Sequence, residues 1–256
     1  SLAHFGPMTR TVADAALMLN VVSRPDWRDW FALPYSGEDF LHGLDDGIKG
    51  KKIAFSRTLG FAPCDPEVLA LVERAVDALA GLGAIIEECD PNIGNPRQLI
   101  EDLWNTGLAY AVDGVAEDRR HLLEPGLVEC ASRAAGLSAV DRARAELQRE
   151  EMGRTMADFH RNYDLLITPQ MPLAAFEAGK LTPPGSNMDG WLDWSPYTYP
   201  FNLTHQPAAS VPCGLTASGL PVAMQVVGPK YADALVLRAA RAYEAVHPFA
   251  MPDAQR

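Results

Sequence analysis

A strand–helix–strand pattern between residues 52 and 89 determines the fold class predicted for this chain. Lys52 to Ser56 predict one short strand, and Ala84 to Cys89 predict another. Between them, Asp65 and Pro66 form a helix start. An apolar stripe at helical spacing follows and then two glycines, namely Val68, Leu69, Val72, Val76 and Leu79, then Gly81 and Gly83. This order favours a parallel strand pair with a right-handed crossover, and therefore an α/β fold.

Helical patterns occupy much of the remaining chain. Thr11, with Asp14 three positions later, predicts the start of a first helix. Residues 24–50 are rich in Pro, Asp, Trp and Gly and predict a long surface loop, whereas residues 96–163 are mainly helical in pattern. A final helix presents three residues on one side, Leu235, Ala239 and Tyr243.

Three further strands are predicted in the second half of the chain. Asp164 to Thr168 are typical of a buried strand that ends at Pro169. Ala208–Leu215 and Leu220–Val227 predict a hairpin, in which Pro212 indicates a bulge or a sheet edge. Because ligands bind where strands end in open α/β sheets, the loop after Thr168 is a candidate site.

Composition excludes some classes of function. The 256 residues carry a formal net charge of −11 and have a pI near 5.0, which argues against binding to nucleic acid or an anionic membrane surface. No apolar run is as long as the ~18 residues that a membrane span needs, and we expect a cytoplasmic protein. The four cysteines lack the spacing of a disulfide framework and are expected to be free thiols, namely Cys64, Cys89, Cys130 and Cys213.

The known compact catalytic motifs are missing from residues 1–256. The six histidines form no His-x-x-x-His pair, so the sequence predicts neither a metal site nor a cofactor. Nucleophile-elbow, P-loop and dinucleotide-binding patterns do not occur. Cys213 has no base nearby in sequence and is interpreted as a packing residue.

Aromatic and polar residues are concentrated between residues 168 and 202. One interpretation is a loop whose aromatic side chains fill the core, and the other is the wall of a largely apolar ligand pocket. The candidate binding residues are, first, Trp194, Tyr197 and Thr198, and then Trp191, Gln170 and Phe201.

Two stretches resemble a known family. Residues 197–214 read YTYPFNLTHQPAASVPCG and are continued by GLPVAMQVVGP from Gly219, and residues 6–16 read GPMTRTVADAA. They resemble parts of the amidase signature enzymes, serine hydrolases that cleave carboxamides with a Ser-Ser-Lys apparatus. The resemblance implies a mixed β-sheet flanked by helices on both faces, and a small-molecule amide as substrate.

The resemblance also implies that part of the enzyme lies outside this chain. In the family, the glycine-rich loop that bears the nucleophile lies upstream of the GPMTRT stretch, and no such loop occurs in residues 1–256. We therefore expect a C-terminal portion of a single amidase domain, truncated at its N-terminus and inactive alone. Its partial sheet should have an open strand edge and uncovered apolar surface, which could lead to self-association.

Roles for individual residues follow from the same resemblance. The stretch from Thr168 to Asn202 corresponds to one that forms one wall of the acyl pocket in the family. Arg10 and Asp14 lie in the stretch close to the catalytic loop, and we expect them to support that loop rather than take part in chemistry.

Two alternative functions remain open. The chain could be a non-catalytic, amidase-like binding module. It could also belong to the A subunit of glutamyl-tRNA amidotransferase, which is a member of the same family. In that subunit an acidic residue typically stands two positions before the aromatic residue of a Phe-Thr-x-Pro motif, but here Ser195 stands two positions before Tyr197. This difference favours a stand-alone amidase.

Overall fold

The computed structural model describes residues 2–249. Helices and strands alternate along this range, as predicted. The helices are α1 (Val12–Val22), α2 (Pro66–Gly81), α3 (Arg97–Asp113), α4 (Pro125–Arg133), α5 (Ala139–Phe159), α6 (Tyr199–Thr204) and α7 (Asp233–Val246). The strands are β1 (Lys52–Phe55), β2 (Ile85–Glu88), β3 (Leu165–Pro169), β4 (Ala208–Leu215) and β5 (Pro221–Val227), and short 3-10 turns cover Glu117–Leu122 and Ala134–Gly136.

The five strands form one mixed sheet in the order β2-β1-β3-β5-β4. Strand β1 runs parallel to both β2 and β3, which confirms the parallel pair predicted from the strand–helix–strand pattern. Strand β5 runs antiparallel to β3 and to β4. Among the described residues, β2 and β4 each have one edge without a partner strand.

Helices cover both faces of the sheet, as expected. On one face, α2 and α7 pack against alternate residues of the strands, such as Ile53, Ile167 and Val226. On the other face, α5 and α6 pack with Tyr197 against residues such as Leu166 and Val227. A further apolar cluster joins α3, α5 and α6.

Helix starts agree with the capping residues read from the sequence. The Thr11 hydroxyl accepts a hydrogen bond from the backbone N–H of Asp14 and donates one to its carboxylate, at 3.1 Å and 2.7 Å. The Asp65 carboxylate accepts from the N–H of Glu67 at 2.8 Å, and Pro66 occupies the first turn of α2. Both interactions satisfy N–H groups that have no partner within the helix.

The predicted hairpin is formed by β4 and β5, and Pro212 lies where their register shifts. It also lies on an edge strand of the sheet, so both positional expectations for this proline are confirmed. The turn between the strands contains Gly219 at φ +82°, a backbone conformation that suits glycine.

Helix α6 was not predicted, since its segment was interpreted as a loop. Four of its six residues are buried, so tertiary packing stabilises a helix that the aromatic and proline-rich sequence does not favour locally. Pro200 is compatible with the helix because it lies in the first turn, where N–H groups need no intrahelical acceptor.

Apolar side chains are exposed near the N-terminus. They belong to the segment before α1, to the outer side of α1 and to the following loop, and include Phe5, Met8, Leu17, Met18, Val21, Val22, Trp27, Trp30, Phe31, Leu33 and Tyr35.

Candidate functional site

The two candidate tryptophans are half-buried and anchored on different parts of the fold. The ring of Trp191 meets that of Trp104 on α3 edge to face, with ring centroids 5.5 Å apart. The indole N–H of Trp194 donates to the Leu181 carbonyl at 2.9 Å, and its ring meets Phe176 at 5.7 Å. Together these contacts give the segment between β3 and α6 a partly exposed aromatic surface.

Asp193 fixes the loop between these tryptophans. Its carboxylate accepts hydrogen bonds from the N–H groups of Asp189 and Gly190, at 2.8 Å and 3.0 Å, and pairs with Arg97 at the start of α3. Burial alone would raise the pKa of this carboxyl, but these donors and the Arg97 guanidinium hold it below its ordinary value. The aromatic segment is therefore tied to α3 by an ionised carboxylate.

Tyr197 lies inside the core, with no exposed surface. Its hydroxyl lies 2.7 Å from the carbonyl oxygen of Arg57 and 2.9 Å from that of Ala62, in the loop that follows β1. Burial raises the pKa of the Tyr197 hydroxyl, so it stays protonated and remains a donor. Tyr197 holds the candidate segment in place from within the core, and contact with a substrate stays a prediction.

The remaining candidates surround this anchor. The Thr198 hydroxyl donates to the Ser195 carbonyl at 2.9 Å and is half-buried. Phe201 is buried beside Tyr197, which agrees with the core-filling interpretation for this aromatic residue. Gln170 continues the pairing of β3 with β5, because its N–H donates to the Ala223 carbonyl at 3.0 Å.

A buried amide joins the sheet to the candidate segment. The side-chain N–H₂ of Gln225, on β5, donates to the Thr168 hydroxyl at 3.0 Å and to the Tyr197 carbonyl at 2.8 Å. Gln225 and Thr168 are 3% and 0% exposed, so these bonds are shielded from water. Gln225 is not among the residues predicted from the sequence, although a lone glutamine in the apolar run Val222–Val227 is a recognisable signal for a buried hydrogen bond.

One face of β4, beside this hydrogen-bond network, is exposed. Ala209, Val211 and Cys213 pack towards the core under α2 and α7, whereas Ala208, Ser210 and Pro212 alternate with them and are exposed on the opposite face. Ser210 lies directly opposite Gln225 in the β4–β5 register. The candidate segment therefore borders an uncovered strip of small side chains.

Arg10 and Asp14 are both exposed. The Asp14 carboxylate accepts from the Thr11 hydroxyl at 2.7 Å. Within residues 2–249, Arg10 forms no hydrogen bond or ion pair, and no contact joins either residue to Trp191–Thr198. Their role as supports of a catalytic loop stays a prediction.

A cavity of about 770 Å³ lies between α5 and the turn after α6, apart from the candidate residues. It is lined by Arg149, His205, His160 and neighbouring residues. The Nδ1 atom of His160 lies 3.1 Å from the Tyr163 carbonyl, and burial lowers the pKa of the imidazole. None of the site residues predicted from the sequence lines this cavity.

Cys213 and Cys64 have the environment of packing residues. Burial raises the pKa of the Cys213 thiol to about 12 and that of Cys64 to about 11, so neither is activated as a thiolate. In the described part of the chain, no three His, Cys, Asp or Glu side chains are grouped so as to hold a metal ion. No helix between residues 2 and 249 combines the length and apolarity required to cross a membrane.

Comparison with known proteins identifies related sequences. The model of the family described as Amidase matches residues 1–237. An acylamidase of Rhodococcus erythropolis is 37% identical over an alignment of 254 residues that covers 97% of this chain and 53% of that protein. The A subunit of glutamyl-tRNA(Gln) amidotransferase from Myxococcus xanthus is 34% identical over 279 residues, covering 97% of this chain and 56% of the subunit.

A similar fold is found among solved structures. The crystal structure of a bacterial aryl acylamidase of the amidase signature enzymes superposes with a TM-score of 0.81 and 29% identity. That match covers 97% of this chain and 55% of the solved chain. The chain thus spans about half the length of the curated relatives it matches.

Proposed function

The chain belongs to the amidase family, and we propose that it is the C-terminal portion of a single amidase domain that hydrolyses carboxamides. The observation that carries this proposal is the match to the acylamidase of Rhodococcus erythropolis, which extends over 97% of the chain at 37% identity. It includes the aromatic segment that Gln225 and Tyr197 fix on the sheet. The chain contributes part of the sheet and one wall of the substrate pocket.

The chemistry itself requires residues from outside this chain. By resemblance to the amidase signature enzymes, an upstream lysine accepts a proton through a bridging serine, and the nucleophilic serine attacks the amide carbonyl. Backbone N–H groups stabilise the oxyanion, the amine leaves with a proton, and water then hydrolyses the acyl-enzyme. Residues 1–256 alone should therefore be inactive.

The aromatic wall supports amides with apolar acyl or aryl groups as substrates. Trp191, Trp194 and Phe176 provide half-buried aromatic surface, and the Thr198 hydroxyl already has a carbonyl acceptor. Such walls bind apolar groups by burying area, with few polar contacts. The printed names of two relatives, an acylamidase and an aryl acylamidase, agree with this choice.

The amidotransferase A subunit is the second candidate, favoured by the 34% identity to that subunit of Myxococcus xanthus. A glutamine substrate carries an ammonium group that needs an acidic partner. At the corresponding place this chain has Ser195, which is 5% exposed and whose hydroxyl donates to the Trp191 carbonyl at 2.8 Å. A buried, neutral and already bonded side chain supports hydrolysis of simple amides instead.

The setting of the reaction follows from the same proposal. We place the intact enzyme in the cytoplasm, which agrees with four free cysteines in the described residues. It needs no cofactor for the serine chemistry above. The formal net charge of −11 supports a small-molecule partner in place of nucleic acid.

The proposal can be tested with a chimaera that joins the N-terminal portion of the Rhodococcus erythropolis acylamidase to residues 1–256. We expect release of aniline from an acyl anilide, little hydrolysis of glutamine, and no turnover by residues 1–256 alone. Equal or faster hydrolysis of glutamine would favour the amidotransferase subunit. A folded chimaera that cleaves no amide, but binds one, would favour the non-catalytic binding module.

The pocket wall is tested in the same chimaera with Trp194→Ala. Loss of the indole should shift the kcat/KM ratio between bulky aryl and small acyl substrates by about tenfold, the effect of lost apolar contact in a pocket. The matched control is Leu147→Ala on α5, since Leu147 is apolar and exposed but distant in sequence from the candidate wall. An unchanged ratio in the Trp194 variant would remove this residue from the wall.

A further inference from the structure

Asn105 is a buried polar side chain without a hydrogen bond. Six Ser, Thr, Asn and Gln residues in the described part of the chain are buried, namely Ser56, Asn105, Thr168, Ser195, Thr216 and Gln225. The side chains of five of them form hydrogen bonds, whereas the amide of Asn105 forms none with residues 2–249. Because an unmet bond costs free energy, buried polar groups are nearly always paired. The exception indicates a partner other than these residues.

The amide of Asn105 reaches the surface of the described structure. Among residues 2–249, the side-chain N and O atoms that are both fully enclosed and unbonded are Nε2 of His160 and Nε of Arg238. The unbonded Oδ1 and Nδ2 atoms of Asn105 are not among them, so both are accessible, although the residue is only 8% exposed. A polar group at a narrow opening in an otherwise buried residue can bind a ligand and fix its orientation.

The position of Asn105 on α3 places this amide beside the aromatic wall. Asn105 directly follows Trp104, whose ring meets that of Trp191 at 5.5 Å. Another side of α3 packs against α5 and α6 through its own apolar cluster. Asn105 shares its side with Val112, two turns later, and the elements left to cover that side are α4 and the turn Ala134–Gly136, which both contact α3. The amide therefore lies where α3, α4 and the wall come together.

The chemistry of the asparagine side chain points to an uncharged polar group as its ligand. It offers a carbonyl acceptor and an N–H₂ donor but no charge. A simple carboxamide has two hydrogen-bonding groups, and in the reaction proposed above its carbonyl oxygen is bound by backbone N–H groups. The remaining group is the amide N–H, a donor that needs an acceptor. We propose that Oδ1 of Asn105 accepts a hydrogen bond from the N–H of the scissile amide, an inference that rests on the proposed function.

This contact would make Asn105 a determinant of selectivity for amides over esters. An ester with the same acyl and aryl groups has an oxygen in place of the N–H. It would lose the hydrogen bond and would place its own lone pairs against Oδ1 of Asn105. A site that bonds a substrate N–H discriminates against the analogue that lacks it, because the buried polar group is then left unpaired.

The alternative role for Asn105 is structural, as a packing residue between α3 and α4. Stability measurements separate the two roles. In residues 1–256, Gln225→Ala should lower the urea midpoint, because two buried hydrogen bonds are lost. Asn105→Ala removes no bond and should shift the midpoint by less than half as much. Equal losses for the two variants would assign Asn105 to packing and overturn the proposal.

Selectivity is measured in the acylamidase chimaera with an acyl anilide and the phenyl ester of the same acid. For Asn105→Ala, the ratio of kcat/KM for the anilide to that for the ester should fall by about tenfold, with the ester value within about threefold. Asn105→Asp keeps a carboxyl oxygen as acceptor and should retain the ratio within about threefold. Asn162→Ala, the same change at an exposed asparagine, is the matched control. An unchanged ratio in Asn105→Ala would overturn the proposal.

The outcomes separate this contact from the proposed function. A chimaera that cleaves anilides with the same ratio in Asn105→Ala would contradict the contact alone. A chimaera that cleaves no amide would contradict the function, and calorimetric Kd values for the acyl anilide would then decide about Asn105. Binding about tenfold weaker to Asn105→Ala would support the contact, whereas equal Kd values would overturn it. Absence of anilide binding would overturn both.

Discussion

Helices α1 and α2 differ in how much of their apolar surface is buried. Helix α2 buries six apolar residues on one side and presents Glu73, Arg74 and Asp77 towards the other. Helix α1 buries only Ala16 and leaves Leu17, Met18, Val21 and Val22 exposed. A helix that is apolar all round is ordinarily buried all round.

The difference shows which helix is packed on several sides within residues 2–249 and which is packed on one side. Helix α2 buries its apolar side against the sheet and α7. Helix α1 contacts α7 on one side, and the backbone N–H of Val12 donates to Glu244 at 2.9 Å. Its other side is exposed, and we propose that another part of the amidase polypeptide covers it. Five substitutions and one control test these differences in packing.

The largest effect is expected for Leu79→Ala in α2. Leu79 has no exposed surface, so truncation leaves a cavity and should cost about 2–5 kcal/mol of unfolding free energy. Urea unfolding of residues 1–256, followed by circular dichroism, gives the value. A cost below about 1 kcal/mol would mean that α2 is no better packed than α1.

Tyr197→Phe should cost about 1–3 kcal/mol, because the carbonyl groups of Arg57 and Ala62 would lose their buried donor. Tyr110→Phe is the matched control, since Tyr110 is 84% exposed. Its unfolding midpoint should stay unchanged. If the two variants unfold alike, Tyr197 contributes by packing alone and its hydroxyl bonds add nothing.

Removal of the N-cap should lower the free energy of unfolding by about 1 kcal/mol more in α2 than in α1. Asp65→Ala removes the cap of α2 and should lower global stability by about 0.5–2 kcal/mol. Thr11→Ala removes the cap of α1 and should mainly speed hydrogen exchange at its first amides, because α1 contributes little packing. Equal losses of global stability would show that α1 unfolds together with the core.

The smallest effect is expected for Leu17→Ala, the same chemical change as Leu79→Ala on the exposed side of α1. Because Leu17 is 55% exposed, the unfolding free energy of the variant should differ from that of the unchanged residues 1–256 by less than about 0.5 kcal/mol. Repeating the measurement in the acylamidase chimaera sharpens the contrast. In the chimaera, the loss of unfolding free energy caused by Leu17→Ala should be larger. An unchanged loss would mean that the acylamidase portion does not cover the exposed side of α1.

Local signals in the sequence predicted most of the fold. Asp65-Pro66 and Thr11 marked helix starts, and Pro212 marked an irregular edge, because each acts through its own backbone neighbourhood. Helix α6 escaped prediction, since long-range burial of Phe201 and Leu203 stabilises it against its local preference.

The candidate site was less predictable, because its contacts join distant parts of the chain. The sequence indicated the aromatic segment but not that Tyr197 would face inwards while Trp191 and Trp194 stay half-buried. Gln225 and the pairing of Asp193 with Arg97 were not predicted. The partners of Gln225 are 28 and 57 residues away, and Arg97 is 96 residues from Asp193. No local pattern specifies such pairs.

The Tyr197 hydroxyl has a consequence for how a pocket at this position would work. It contacts the carbonyl groups of Arg57 and Ala62, which lie 140 and 135 positions earlier in the chain, and Gln225 donates a hydrogen bond to the carbonyl group of Tyr197 itself. The segment cannot swing outwards without breaking contacts inside the core, so its amides should exchange hydrogen only through global unfolding. We therefore expect a rigid wall that discriminates between acyl groups by a fixed shape, with any gating motion confined to other parts of the enzyme.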